Sequence, residues 1–103
     1  RNQEIALDRF VIGRGKQANL IMVHPELSRR HIELALKEKK LWVRDLKTTN
    51  GSYLNETKLE PEKWVALEDF DRMYLGKAKD LVLEFDILEQ EAPKPVENDS
   101  DIL

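Results

Sequence analysis

The chain of 103 residues has no cysteine. That excludes a disulfide framework and a thiolate metal site, and it fits a reducing compartment. No apolar run approaches the roughly 18 residues that a membrane span needs, and no signal-peptide pattern is visible. The first residue is Arg1 rather than Met, so the sequence reads as an excised piece. Aromatic residues make up only 7%, too sparse for a surface on which successive bases stack. A basic excess is missing as well. Residues 1–88 carry 16 Lys/Arg against 15 Asp/Glu, a net +1, while residues 89–103 carry one Lys against five Asp/Glu, a net −4. A dedicated nucleic-acid binder shows a basic surplus over its folded part, so any anion recognition here is expected to be local. Neither nucleic acid nor a membrane is an expected partner.

A long helical period is also missing. The apolar segments are short and many, with turn signals about every ten residues. Ile5-Ala6-Leu7 opens the series, and Phe10-Val11-Ile12 runs into Gly13. Residues 20–23 form a continuous apolar run, bounded by Asn19 and Pro25, which reads as a buried strand. Ile32, Leu34 and Leu36 alternate on one face. Past the charged turn Glu38-Lys39-Lys40, residues 41–46 resume, so the two segments predict a hairpin. Residues 52–54 are brief. Residues 64–67 and 72–75 flank the acidic turn Glu68-Asp69-Phe70-Asp71, and residues 81–87 close the series. The segment 54–69 is the best helix candidate, but Pro61 and the β-branched Val65 weaken it. One domain is expected, an all-β sandwich or barrel. From about Glu89 the pattern stops. The polar, acidic, Pro-containing stretch 89–103 is expected to be a flexible tail or linker, because it cannot bury enough to offset ordering entropy.

Three polar clusters lie between the apolar runs: Gly13-Arg14-Gly15-Lys16, Ser28-Arg29-Arg30-His31 and Thr48-Thr49-Asn50-Gly51-Ser52. Each joins turn-forming residues to donors suited to an anion. Gly13 permits a tight turn or positive φ after a strand, and Arg14 can fork onto phosphate oxygens. Each cluster also has a plainer explanation. Arg14 can be a surface or ion-paired arginine, His31 a structural ring bonded to a loop, and Asn50-Gly51 a simple hairpin turn. The P-loop spacing GxxxxGK[ST] is absent. No nucleophile–base pair accompanies His24 or His31, and no spacing supports a metal site made from them. Neither an enzyme, nor a metal, nor a cofactor is expected.

In their order and spacing the clusters resemble the forkhead-associated (FHA) domain. Its pattern is G-R, then S-x-x-H, then [ST]-x-N-G, then a nearby Asn. Here these are Gly13-Arg14, Ser28-Arg29-Arg30-His31, Thr48-Thr49-Asn50-Gly51 and Asn55. Residues 42–46 resemble the strand before the family's Asn-Gly loop, and Leu75-Gly76 its late turn. The resemblance covers about residues 4–88, taken as the domain 1–88 followed by the tail 89–103. It implies an eleven-stranded, antiparallel-rich β-sandwich with ligand loops at one end that bind phosphothreonine peptides. Carried over by position, Arg14, Ser28 and Arg29 contact the phosphate, Thr49 touches it or the surroundings of the threonine methyl, and Asn50 holds the peptide backbone. Gly13, His31, Gly51 and Asn55 shape the loops, with Asn55 holding the Asn-Gly loop open.

Phe70-Asp71 departs from the family's usual Gly-Asp, and Glu56 stands where Gly is common. Glu26, near the expected peptide path, is expected to disfavour acidic residues just after the phosphothreonine. The resemblance implies a signalling module in an intracellular compartment, cytoplasmic or nuclear. The competing expectation is a phosphate-independent interaction or oligomerisation module on the same fold.

Overall fold

A computed structural model describes residues 8–85. The described residues contain nine strands and no helix: β1 (Arg9–Gly13), β2 (Leu20–Ile21), β3 (Ile32–Lys37), β4 (Lys40–Asp45), β5 (Ser52–Leu54), β6 (Thr57–Lys58), β7 (Val65–Ala66), β8 (Arg72–Leu75) and β9 (Val82–Glu84). They form a five-stranded sheet in the order β2-β1-β3-β4-β7 and a four-stranded sheet in the order β6-β5-β8-β9. All pairings are antiparallel except β1 with β2. The eleven strands expected are thus nine among the described residues. Ile5-Ala6-Leu7, Asp86, Ile87 and the stretch 89–103 lie outside them. No helix among the described residues is long and apolar enough to cross a membrane.

Alternation explains the sandwich. Phe10, Ile12, Ile32, Leu34, Leu41 and Val43 point inward from the larger sheet and meet Met73 and Leu75 from the smaller one, with Leu27, Leu59 and Leu67 closing the core from the connections. β3 and β4 form the expected hairpin, in register from Ile32↔Asp45 to Lys37↔Lys40. Its two central residues, Glu38 and Lys39, both have positive φ, as a tight two-residue hairpin demands.

Two expectations need correction. The run 20–23 is not a buried strand. β2 is an edge strand paired only with β1. Leu20 and Met22 turn toward the core, while Ile21 is 44% exposed and Val23 is 93% exposed. A continuous apolar run carries no information about which alternate residues an edge leaves outside. The segment 54–69 is not helical either. It is occupied by β6, β7 and a bridge between Pro61 and Asp45.

Phe70 marks a local conflict. It has φ +71° and is 95% exposed, so its bulky side chain sits in the left-handed region without burying its ring. Asp71 holds the turn by accepting from the Glu68 amide at 2.8 Å. The left-handed conformation costs an L-residue about 1–2 kcal/mol, and glycine gives back about 0.5–1 kcal/mol of that through unfolded-state entropy. Phe70→Gly is expected to raise stability by about 0.5–1 kcal/mol, a gain of a few degrees in Tm by thermal denaturation.

The strand register also sets the direction of the termini. Gly13, Gly51 and Gly76 lie at one end of the sandwich, where the Gly76 amide donates to the Gly51 carbonyl at 2.9 Å. Arg9 begins β1 opposite Ala35, and Glu84 ends β9 opposite Arg72. The described chain therefore enters and leaves at the other end.

Candidate functional site

The first two polar clusters are stitched together through their backbones. The Arg14 amide donates to the Ser28 carbonyl and the Gly15 amide to the Arg29 carbonyl, each at 3.0 Å. This approach explains Gly13. A Cβ there would collide with the Arg29 carbonyl oxygen and lie 2.7 Å from the Arg29 carbonyl carbon and 2.9 Å from the Arg30 Cα. Close approach, not positive φ, is what demands glycine at this position. Arg14 Nε donates to the Leu27 carbonyl at 2.6 Å. That bond fixes the guanidinium by its inner edge and leaves both outer nitrogens as donors.

His31 joins the second cluster to the third. It is fully buried. The Ser28 amide donates to its Nδ1 at 3.0 Å, and Nε2 lies 2.9 Å from the Gly51 carbonyl. An acceptor at Nδ1 and a donor at Nε2 define the neutral ring with its proton on Nε2. Burial pushes its pKa below the ordinary histidine value, against the opposing pull of the Gly51 carbonyl and of Asp45.

The third cluster is built on Asp45. Its carboxylate accepts from the Thr48 amide at 3.0 Å, the Thr48 hydroxyl at 2.6 Å and the Ser52 hydroxyl at 2.5 Å. Thr48 Oγ1 in turn accepts from the Gly51 amide at 3.0 Å, and Gly51 takes φ +85°. Asn50-Gly51 is therefore not a hairpin turn. It carries the chain from β4 in one sheet to β5 in the other. Asn50 Nδ2 donates to the Glu26 carbonyl at 3.0 Å, which draws the cluster against the segment before Ser28.

Arg14, Ser28, Arg29, Thr49 and Asn50 thus edge one surface supported by Gly13, His31 and Gly51. Arg14, Arg29 and Thr49 are exposed, and Ser28 and Asn50 half-buried. Lys16, Arg30 and Lys47 add exposed cations on the same loops. Among the described residues none of these five cations lies in an ion pair.

Asn55 does not belong to this surface. It stands past the other end of β5 with φ +56°. Its amide donates to Asp71 Oδ1 at 3.1 Å, and its Oδ1 accepts from the Arg72 amide at 3.0 Å. It ties two turns at the far end and does not hold the Asn-Gly loop open. A groove of about 380 Å³, lined in part by Leu54, Leu59 and Val65, includes Asn55 and none of the other nominated residues.

Two supports were missed from sequence. Asp45 left a faint signal, an Asp three residues before a Thr at a strand end, the spacing of a local side-chain turn. Glu26 left none as a brace. Its carboxylate accepts from the Ala78 amide at 2.9 Å and packs where a Gly76 Cβ would stand. The expected repulsive role for Glu26 therefore meets a carboxylate already turned toward residues 76–78. The histidines serve separate contacts, since His24 Nε2 lies 3.0 Å from Asp80 Oδ1.

Comparison with known proteins agrees with this architecture. The FHA domain family model matches residues 10–76. FHA domain-containing protein PS1 of Arabidopsis thaliana is 31% identical over 69 residues, 65% of this chain, and the chain spans only 5% of that protein's length. The crystal structure of the FhaA FHA domain complexed with the intracellular domain of Rv3910 superposes with a TM-score of 0.66 at 28% identity, covering 75% of this chain and 81% of that one. The N-terminal FHA domain of Rad53p from S. cerevisiae, solved in complex with a phosphothreonine peptide, gives 0.61 at 27% identity over 66% of this chain and 56% of that one. With the family pattern matched over residues 10–76 and the fold shared with solved members, this chain belongs to the FHA domain family.

Proposed function

We propose that the chain is a phosphothreonine-peptide-binding module that mediates phosphorylation-dependent protein–protein interaction. The observation that carries this is Arg14, pinned through Nε to the Leu27 carbonyl beside Ser28 and Arg29. A phosphothreonine brings about −1.5 to −2 charges and three acceptor oxygens. Arg14 and Arg29 supply the opposite charge, and Ser28 and Thr49 supply short hydroxyl donors. Asn50 spends one N–H on Glu26, which leaves its Oδ1 and second N–H for a peptide backbone. The solved complex of the Rad53p domain with a phosphothreonine peptide supports the same assignment. In this reading the module takes residues 1–88, followed by an acidic tail or linker over residues 89–103. Its partners are phosphorylated proteins of the cytoplasm or nucleus.

A hydrogen bond to a charged group contributes about 1.5–3 kcal/mol. Arg14→Ala is therefore expected to weaken binding at least tenfold. Calorimetric titration with matched phosphothreonine, phosphoserine and unmodified peptides tests the proposal. Binding should require the phosphate and favour threonine. Equal affinity for the unmodified peptide, or binding indifferent to Arg14→Ala, would select a phosphate-independent interaction module instead.

A further inference from the structure

The outer face of the four-stranded sheet carries a row of side chains with no part in the loops above. Lys58, Tyr53, Tyr74 and Val82 stand directly opposite one another across β6, β5, β8 and β9. Their strand neighbours Ser52, Met73 and Leu75 are fully buried, so by alternation this row faces out. Lys79 reaches over it from the turn after β8, with Nζ 4.7 Å from the centre of the Tyr53 ring.

The row starts where the peptide-holding loop ends. The space that a Gly51 Cβ would fill lies 3.0 Å from Lys58 Cε, 3.7 Å from Tyr53 Cε1 and 3.8 Å from Lys58 Nζ. Lys58 and Tyr53 therefore crowd against the residue that follows Asn50. Both lysines are exposed. Among the described residues neither has a carboxylate within ion-pair distance, and the ion pair on this face joins Arg72 to Glu84. Two unpaired ammonium groups thus flank one aromatic ring, continuous with the loop assigned to the peptide backbone. The ring holds Lys79 by a cation–π contact, and Lys58 lies on the strand directly opposite Tyr53.

We propose that Lys58 and Lys79, with Tyr53 between them, form a second anion-reading subsite for the flank of the bound phosphopeptide. Its ligand is an acidic side chain, either a carboxylate or a second phosphorylated residue, on the part of the peptide that passes Gly51. This rests on the phosphopeptide function proposed above. An extended peptide advances about 3.3 Å per residue and alternates its side chains, so one flank position, not a general excess of acid, is selected.

The test is a set of phosphothreonine peptides with alanine flanks, into which one Asp, one phosphoserine or one Lys is placed at each position in turn. For the unmodified protein, one position on one flank should gain about twofold to fivefold from Asp, and more from phosphoserine if the second phosphate is the natural ligand. The gain should shrink at high salt. In K58E, K79E and the double variant the preference at that position should invert toward Lys, while the alanine-flanked peptide still binds in a phosphate-dependent way. A gain that survives both reversals, or no acidic position of gain with phosphate dependence intact, overturns the subsite alone. Loss of phosphate dependence in the unmodified protein overturns both proposals. Because the readout is the ratio between two peptides on one protein, a general weakening by the substitutions does not mimic the result.

Discussion

Gly13→Ala is expected to abolish detectable phosphopeptide binding and to lower stability by about 2–3 kcal/mol. The added methyl would meet backbone rather than a side chain, since the nearest atoms are the carbonyl group of Arg29 and the Cα of Arg30. Relief requires the two clusters to separate, and that breaks the backbone bonds from Arg14 to Ser28 and from Gly15 to Arg29. Arg14 would then lose its position relative to Ser28 and Arg29 together. Gly15→Ala is the milder comparison. Its contacts are the Arg29 Cβ at 2.8 Å, the Arg29 carbonyl oxygen at 3.1 Å and the Arg29 Cα at 3.2 Å, each wider than its counterpart at Gly13, so its cost should be smaller but not negligible. Urea unfolding separates the two, with the midpoint falling and the m-value unchanged. Near-native stability for Gly13→Ala would show that the end of β1 does not need to approach Arg29 so closely.

The second large effect is at His31. His31→Ala removes two hydrogen bonds, leaves the Ser28 amide without its acceptor, and opens a hole at a fully buried position. Together these are expected to cost about 3–4 kcal/mol and to weaken phosphopeptide binding, because Ser28 and Gly51 are both placed by this ring. A pH signature follows from the neutral ring. Its folded pKa lies below the ordinary value, so the unfolded chain takes up the proton first. The stabilisation is complete above the unfolded pKa of about 6.5 and is lost as pH falls from there through the lower folded value. Thermal denaturation without peptide should show Tm declining over that window in the unmodified protein, and His31→Asn should remove the part of the decline due to this ring. Peptide binding will fall in the same region for a second reason, since the phosphate's own second pKa is about 6. The peptide-free measurement separates the two. A Tm decline that His31→Asn leaves untouched would show that His31 is not the group titrating.

The two predictions also show how far the chain was legible before its fold was known. Arg14, Ser28, Arg29, Asn50 and Gly51 stood out through the order and spacing of their clusters, since each cluster alone had a plainer explanation. His31 could be assigned to scaffold from the absence of a chemical partner. The β3–β4 hairpin followed from two strand-length apolar segments on either side of a charged turn. The reason for Gly13 was not legible, because it lies in a carbonyl sixteen residues further on. Glu26 was given a repulsive role because charge is visible in sequence, whereas the Ala78 amide that receives its carboxylate is 52 residues away. Asn55 was placed with the wrong loop because it is near Gly51 in sequence, yet a three-residue strand separates them and carries it toward the far end. Ile21 and Val23 failed for the complementary reason: hydrophobicity records a preference for burial, and only the edge position of β2 decides which side chains obtain it.

β1 begins at Arg9 and β9 ends at Glu84, both at the end of the sandwich opposite the polar loops, so neither end of the described chain takes up space on the loop surface. Flexible linkage of two such modules raises the effective concentration of the second site to the millimolar range when the linker spans the distance. A second such module joined on that side would leave both recognition ends open to one doubly modified target, so modest single-site affinity could become strong avidity without any change in the loops.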